Sequence, residues 1–560
     1  MAAQSGAPII VGGGIAGIVA ALELLRAGSP VVLLDRDRED RFGGQALESF
    51  GGILAVDTPV QRRQGVHDSV ALALADWERF GEISAADGWA HRWACAYLQN
   101  CRRDVYDWLE GMGVRFLPMP LWPERRGNSV PRWHVVWGTG RHLTLCLIEA
   151  LHRAAGGSPA PGRAAGLELR FAHRVERLLL EEGRVVGVAG VHESTGEPFA
   201  LRAPAVVLAA GGVTGDLAQV RANWPEGQCP PVELLNGSHR YADGRLHLAA
   251  RAAGARIGNL RWMWNYAAGI SDWDSDRPDH GLSIVPPRSA LWLDAGGRRF
   301  EPPLRAGWDT SEQVARVAGG GGYSWQILNR RIALRELAVS GAALNPSIRD
   351  RRKLAFLRDS LLGNRWLVET LIAKCPQVLA AGTLAQLVER MNALAEREVP
   401  AHASRPVLHL EAIERALRDF DAARLVQGPG TDAQWQSIRE ARRWKGDRMR
   451  TARPAAILDP SGGPLMALRL RIVSRKSLGG VVTDLDGRAL GGDDRAIPGL
   501  YAAGEAAGFG GGGMNGRRAL EGTFLGGCIY SARRAAGGLL RDAGEGTPTA
   551  SQPQPRRGPP

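Results

Sequence analysis

Gly12-Gly13-Gly14-Ile15-Ala16-Gly17 is the stretch whose surroundings decide the fold. Its spacing, G-x-G-x-x-G, is weak by itself. Before it, Ile9-Ile10-Val11 is a short β-branched run suited to a strand. After it, Ile18, Ala21, Leu22 and Leu25 recur at i, i+3, i+4 and i+7, one face of a helix. Gly28 stands where a helix-ending C′ glycine belongs. Val31-Val32-Leu33-Leu34 is apolar throughout, as a parallel strand covered on both faces requires. Asp35 ends that run, 18 residues after Gly17. Strand, glycine turn, helix, strand and acid together predict a βαβ unit that binds a dinucleotide. Gly12 permits the tight turn, Gly14 lets a pyrophosphate approach the backbone, and Gly17 lets helix and strand pack closely. Ile15 and Ala16 open the helix, whose free N–H groups and positive dipole end face the phosphates. Asp35 is expected to accept from a ribose hydroxyl, with Arg36 beside it.

Farther along, Val175–Leu180 and Arg184–Val188 predict a hairpin turning at Glu182-Gly183, and Pro204–Ala210 predicts another buried strand ending at Gly211-Gly212. The composition then shifts. Helical spacing dominates later stretches, as where Thr383 and Gln386 precede Leu384, Leu387, Val388, Met391 and Leu394 with the spacing of a capping box. The expected division is 1–245 and 466–543 for one domain made from both chain ends, 246–465 for an inserted α+β lid or substrate domain, and 544–560 for a disordered tail. A chain of 560 residues is long enough for more than one core. A final helix is expected near Phe524–Arg534.

The formal charge is +12, yet only Lys353, Lys374, Lys445 and Lys476 are lysines; the remainder of the 70 basic residues are arginines spread along the chain. A nucleic-acid surface would cluster them, so none is expected. The six cysteines include no C-x-x-C pair and the twelve histidines no H-x-x-x-H or H-x-H pair, so no metal is expected. No apolar run reaches the ~20 residues of a membrane span. No basic segment precedes the first apolar run. A cytoplasmic protein without disulfides is expected.

Arg41-Phe42-Gly43-Gly44-Gln45, Ser49-Phe50-Gly51-Gly52, Ser477-Leu478-Gly479-Gly480, Pro498-Gly499-Leu500-Tyr501-Ala502-Ala503-Gly504-Glu505 and Ala519-Leu520-Glu521-Gly522-Thr523-Phe524-Leu525-Gly526-Gly527 resemble segments of the fumarate reductase/succinate dehydrogenase flavoprotein superfamily. The resemblance is closest to its 3-ketosteroid Δ1-dehydrogenase-like bacterial members and runs over about 6–540. It implies an α/β, Rossmann-like FAD-binding domain of the glutathione-reductase type. It also implies an FAD-dependent dehydrogenase working on a CH–CH bond next to a carbonyl, with hydride passing to the flavin. The cofactor contacts it implies are Gly43, Gly44, Gln45, Ser49, Gly51 and Gly52 beside the flavin, Val175 at the adenine, Ala210, Gly211 and Asp243 along the cleft, Glu505 on hydroxyls, and Gly522, Thr523 and Phe524 at the helix under the flavin. Gln45 occupies the place of the histidine that carries FAD covalently in succinate dehydrogenases, so non-covalent FAD is expected.

The substrate residues depart from the fumarate pattern. Ala519, Asn515 and Trp308 fall where an arginine, a histidine and the proton-delivering arginine belong, which argues against a small dicarboxylate held in arginine forks. Arg517 falls where the ketosteroid enzymes have a tyrosine. Candidates for catalysis are Arg475, Arg517 and Arg518, with Lys476 close by, and Tyr266, Tyr323 and His280 from the lid. If several of Trp122, Trp133, Trp137, Trp262, Trp264 and Trp292 lined the pocket, the substrate would be bulky and apolar. An electron acceptor, unidentified, is required. A different flavoenzyme (fumarate reductase-like, an oxidase, a hydroxylase or an RNA-modifying enzyme) and a flavin-binding protein without turnover remain open.

Overall fold

The computed structural model describes residues 3–4, 6–156, 166–400, 403 and 405–545. The fingerprint forms the expected unit: strand Ile9–Val11, helix Ile15–Arg26 and strand Val31–Leu34. All three are almost wholly buried, which explains their unbroken apolar sequence. Gly28 follows the helix at φ +78°, a conformation glycine adopts without a Cβ penalty.

Ile9–Val11 lies inside a six-stranded sheet. From one edge the order is Arg488–Leu490, Ala496–Ala502, Val206–Leu208, Ile9–Val11, Val31–Leu34 and Leu167–Arg170. All neighbours are parallel except the first pair. Val206 sits between Ile9 and Leu500, so the start and end of the chain share one sheet. Doubly wound α/β architecture built from both ends is the observed fold. The closing helix packs on the fingerprint helix and runs Thr523–Glu545, past the expected Arg534. Gly537 and Gly538 lie inside this helix, and a Cβ at Gly538 would stand 2.3 Å from the Asp486 carbonyl oxygen. That glycine is required by packing. Of the expected tail, Gly544 and Glu545 belong to this helix, and the rest lies outside the described residues.

The expected hairpin is His173–Glu181 with Arg184–His192. Glu182 and Gly183 both have positive φ, the backbone of a two-residue turn that follows strand twist.

A second sheet is mainly antiparallel. Its order is Leu291–Asp294, Tyr323–Asn329, Leu465–Ser477, Met263–Ser271, Gly281–Val285 and Ala338–Val339. The long strand Leu465–Ser477 also pairs with Leu234–Asn236 and Val378–Ala381. This sheet therefore draws on residues before 246 and after 465, and its central strand runs out of the second layer toward the first. Helices including Leu384–Glu398, Leu410–Ala423 and Ala433–Ala441 cover it with a separate apolar core. The hydroxyl of Thr383 accepts from the Gln386 amide and starts the 384–398 helix.

Candidate active site

An open cleft, with about 1580 Å³ of empty space counting its solvent-filled mouth, runs from the fingerprint turn to the junction of the two layers. The turn shows what each glycine is for. A Cβ on Gly12, at φ +113°, would lie 2.5 Å from the Ala209 carbonyl oxygen; one on Gly17 would lie 1.9 Å from the Gly12 carbonyl oxygen. Both are filled by the protein itself. A Cβ on Gly14 would meet nothing within 4 Å. Gly14 faces open cleft at the start of the helix, where N–H groups point at an anion.

Asp35 borders the cleft one strand away, and its Oδ1 accepts from the Asp37 amide at 2.9 Å. Burial holds its carboxyl above the ordinary range. Arg36 and Asp243 also border the cleft, but as a pair: the guanidinium donates to Asp243 at 2.8 Å and to Glu193 at 3.0 Å, and lies 4.2 Å over the Tyr241 ring. Their polar atoms build the wall. Val175, His239 and Tyr241 complete this end. Removing Asp35 deletes a charged acceptor facing the cleft. Asp35→Ala is expected to weaken FAD binding by about 1.5–3 kcal/mol, measured by titrating FAD into the apoprotein; unchanged affinity would show that the ribose lies elsewhere.

In the middle stand Gly44, Gln45, Ser49, Gly51, Gly52, Ala210 and Gly211. Gln45 is held at both ends of its amide: Nε2 donates to the Gly237 carbonyl at 2.6 Å and Oε1 accepts from the His239 amide at 3.3 Å. Gly43 and Thr523 do not border the cleft. A Cβ on Gly43 would press on Thr144, and the buried Thr523 hydroxyl donates to the Leu520 carbonyl. Gly52 and Gly522 make room for Trp133: a Cβ would stand 1.8 Å from its Nε1 at Gly52 and 2.6 Å from its Cδ1 at Gly522. Phe50 stacks on the same indole at 5.7 Å.

At the far end, Tyr266, Arg475, Lys476, Glu505, Glu521 and Phe524 converge. The Tyr266 hydroxyl donates to Glu521 Oε1 at 2.6 Å, and Trp264 Nε1 donates to the same oxygen at 3.1 Å. Burial, and then the Glu521 charge, hold the Tyr266 phenol well above its ordinary value. Lys476 Nζ sits 4.1 Å over the Phe524 ring. Burial and the neighbouring Arg475 bring its ammonium down to about 8. Arg475 donates to the Gly237 carbonyl. Glu505 Oε1 accepts from the Ser477 amide at 2.9 Å and hydroxyl at 3.2 Å, and burial raises its carboxyl. Behind Glu521 lies Glu124, whose carboxyl is raised by burial and then by Glu521.

Of the six candidate catalytic residues, Tyr266 and Arg475 border the cleft. The other four do not border it. Arg518 pairs with Asp309 at 3.0 Å and Glu82 at 3.1 Å. Arg517 is exposed, 5.5 Å from the Trp262 ring centroid. Tyr323 is buried in the second sheet beneath Arg469. His280 Nδ1 is 2.9 Å from Asp272. Of the six tryptophans, Trp133 alone borders the cleft. Trp264 and Trp292 are core residues, Trp122 donates to the Asn128 carbonyl, and Trp137 packs on Phe356. Phe50, Phe509, Phe524 and Leu525 join Trp133 in the apolar lining. Trp133 carried a signal in the glycines opposite it; Tyr241, His239 and Phe509 carried none.

This fold and this cleft define a class, the flavin-dependent oxidoreductases. The chain belongs to the FAD binding domain family, which matches residues 8–525. It is 40% identical over 562 residues, 95% of each chain, to the KsdD-like steroid dehydrogenase of Mycobacterium tuberculosis. It is 40% identical, over 92% of this chain and 95% of the relative, to the KsdD-like steroid dehydrogenase of Mycolicibacterium smegmatis. Solved structures of like fold include a flavocytochrome c3 fumarate reductase, with TM-score 0.65, 20% identity and coverage of 97% and 79%. Another is the 3-ketosteroid-Δ4-(5α)-dehydrogenase of Rhodococcus jostii RHA1, with TM-score 0.60, 21% identity and coverage of 95% and 96%. The cofactor is FAD, and the protein is an FAD-dependent dehydrogenase. The residues present fit it: the space over Gly14 is free and would take the pyrophosphate, Asp35 borders the cleft where it would meet a ribose, and glycine-lined walls would leave room for the ring. Among the described residues, no helix is long and apolar enough to cross a membrane.

Proposed function

We propose that this chain desaturates, or in reverse reduces, a carbon–carbon bond next to the ketone of a bulky, apolar, steroid-like molecule, with FAD bound non-covalently. The observation that carries this reading is the Tyr266–Glu521 pair beside two cations at the end of the FAD cleft. When bound, the flavin supplies a hydride acceptor. The chain must manage the proton. Arg475 and Lys476 give positive charge that can polarise a ketone and acidify its α-carbon. The α C–H bond breaks as a new O–H bond forms on Tyr266. The hydroxyl passes its original proton along its hydrogen bond to Glu521, so no charge is stranded on the phenol. Non-covalent attachment rests on Gln45, whose amide has no nucleophile to offer the flavin and is engaged at both ends.

A dicarboxylate is disfavoured because Arg518 already serves two carboxylates and Arg517 stands outside the cleft. The two KsdD-like relatives favour a steroid. Anaerobic mixing of the yellow protein with saturated 3-ketosteroids and, separately, with succinate tests this. Loss of the flavin's blue absorption is expected with a steroid and not with succinate. Bleaching by succinate alone would sink the proposal.

A further inference from the structure

The helix Lys353–Leu362 buries none of its ten residues. Half of its side chains are large and apolar all the same. Leu354 is 84% exposed, Leu362 78%, Leu361 58% and Leu357 51%; Trp366, at the start of the next helix, is 45% exposed. Single exposed leucines are common on surfaces, but a contiguous set on one short helix marks a place that something covers.

The charges around this patch say what. Between 349 and 369 stand six cations, Arg349, Arg351, Arg352, Lys353, Arg358 and Arg365, against three carboxylates, Asp350, Asp359 and Glu369, an excess of three positive charges. Asp359 is neutralised by Arg358 at 2.9 Å. At the far end Arg365 pairs with Glu369 at 2.6 Å, and Asp350 is shared by Arg349 at 2.7 Å and Arg352 at 3.5 Å, so the excess lies at the start of the leucine run, around Arg351, Arg352 and Lys353. Exposed leucines and an indole beside an excess of cations are the composition of a surface patch that meets an anionic bilayer, apolar side chains reaching the acyl chains and basic ones the headgroups. A second copy of the chain fits poorly. A two-fold contact would set this cationic cluster against itself.

The helix is not a free arm. Phe356 packs edge-on against Trp137 at 5.4 Å, and Arg351 lies 3.4 Å from His142. The preceding segment is tied at Ala342, whose amide donates to the Glu48 carbonyl, and Ser340 borders the FAD cleft. The exposed face is thus held rigidly near the cleft rim.

We propose that Lys353–Leu362, with Trp366, is an interfacial anchor that seats the folded enzyme on an anionic lipid surface. This does not depend on the substrate reading. Holoprotein is sedimented with vesicles of equimolar phosphatidylglycerol and phosphatidylcholine, and with phosphatidylcholine alone. Binding to the anionic vesicles is expected, weakened on the order of tenfold or more without phosphatidylglycerol or in high salt. Leu354→Glu/Leu361→Glu and, separately, Arg352→Glu/Lys353→Glu are expected to lose it with the flavin spectrum unchanged. All four side chains are exposed, so neither variant disturbs a core. No binding to anionic vesicles overturns the proposal, as does binding that both variants retain. A dimer in solution, dissolved by the leucine substitutions while vesicles are ignored, would overturn it in favour of a second copy.

Discussion

Tyr266→Phe is expected to slow reduction of the bound flavin by substrate roughly 10²–10⁴-fold, the usual worth of a positioned proton-transfer group. FAD content and KM are expected to change little, because the ring stays and only its oxygen goes. The argument rests on one atom. Glu521 Oε1 accepts from Tyr266 at 2.6 Å and from Trp264 at 3.1 Å. The phenylalanine variant keeps the indole bond, so the carboxylate is still partnered and the fold loses about 1 kcal/mol. A structural role would therefore show as that small loss of stability with kcat unchanged; a role in proton transfer adds the large loss of kcat. Glu521→Gln separates the two further. Glutamine can still accept both bonds but cannot take a proton at neutral pH, so a relay predicts a comparable loss of kcat. Wild-type rates in both variants would remove Tyr266 and Glu521 from the chemistry and leave Arg475 and Lys476 as the groups to test.

The cofactor half of this site was legible because its requirements are local. A strand, a glycine turn and a helix within 30 residues are all that a phosphate cradle needs, and backbone geometry reserves those positions for glycine. The second sheet was legible only in outline. Its central strand, Leu465–Ser477, is held by partners from 234 to 381, and no window of sequence contains that pairing. The catalytic end suffered for the same reason. Arg518 and Tyr323 looked available until their partners were known, and Asp309 and Arg469 lie far away in the chain; His280 was misread on a nearer ground, since Asp272 stands only eight residues before it. Lys476 and Arg475 could be placed because they directly precede the Ser477-Leu478-Gly479-Gly480 turn. Glu521 stood in plain view inside a flavin motif, yet only the fold brings Tyr266 and Trp264 to its oxygen. Tryptophan content misled in a simpler way. An indole fills a core as readily as a pocket, and here five of the six residues considered do not line the cleft.

Gly14→Ala and Gly17→Ala are expected to fail in opposite ways, although both add one methyl to the same turn. At Gly17 the new Cβ would stand 1.9 Å from the Gly12 carbonyl oxygen. Neither backbone can yield without moving helix from strand, so the cost falls on the fold: about 1–3 kcal/mol or more, as for overpacking in a filled core. At Gly14 the methyl meets no protein atom within 4 Å, and the backbone, φ −74° and ψ 179°, suits alanine. The apoprotein is expected to melt as the wild type does. The methyl instead occupies the space through which the pyrophosphate reaches the helix N-terminus. FAD affinity is expected to fall on the order of 100-fold, or about 2.7 kcal/mol. Thermal melting of the two apoproteins, with FAD titration into each, reads both effects. If Gly14→Ala binds FAD as tightly as the wild type, the phosphates do not cross this turn, and the roles assigned to the fingerprint are wrong. If it melts early without FAD, the space over Gly14 is not free in solution. The expected pattern, stability lost at one glycine and cofactor at the other, separates what this turn does for the chain from what it does for the flavin.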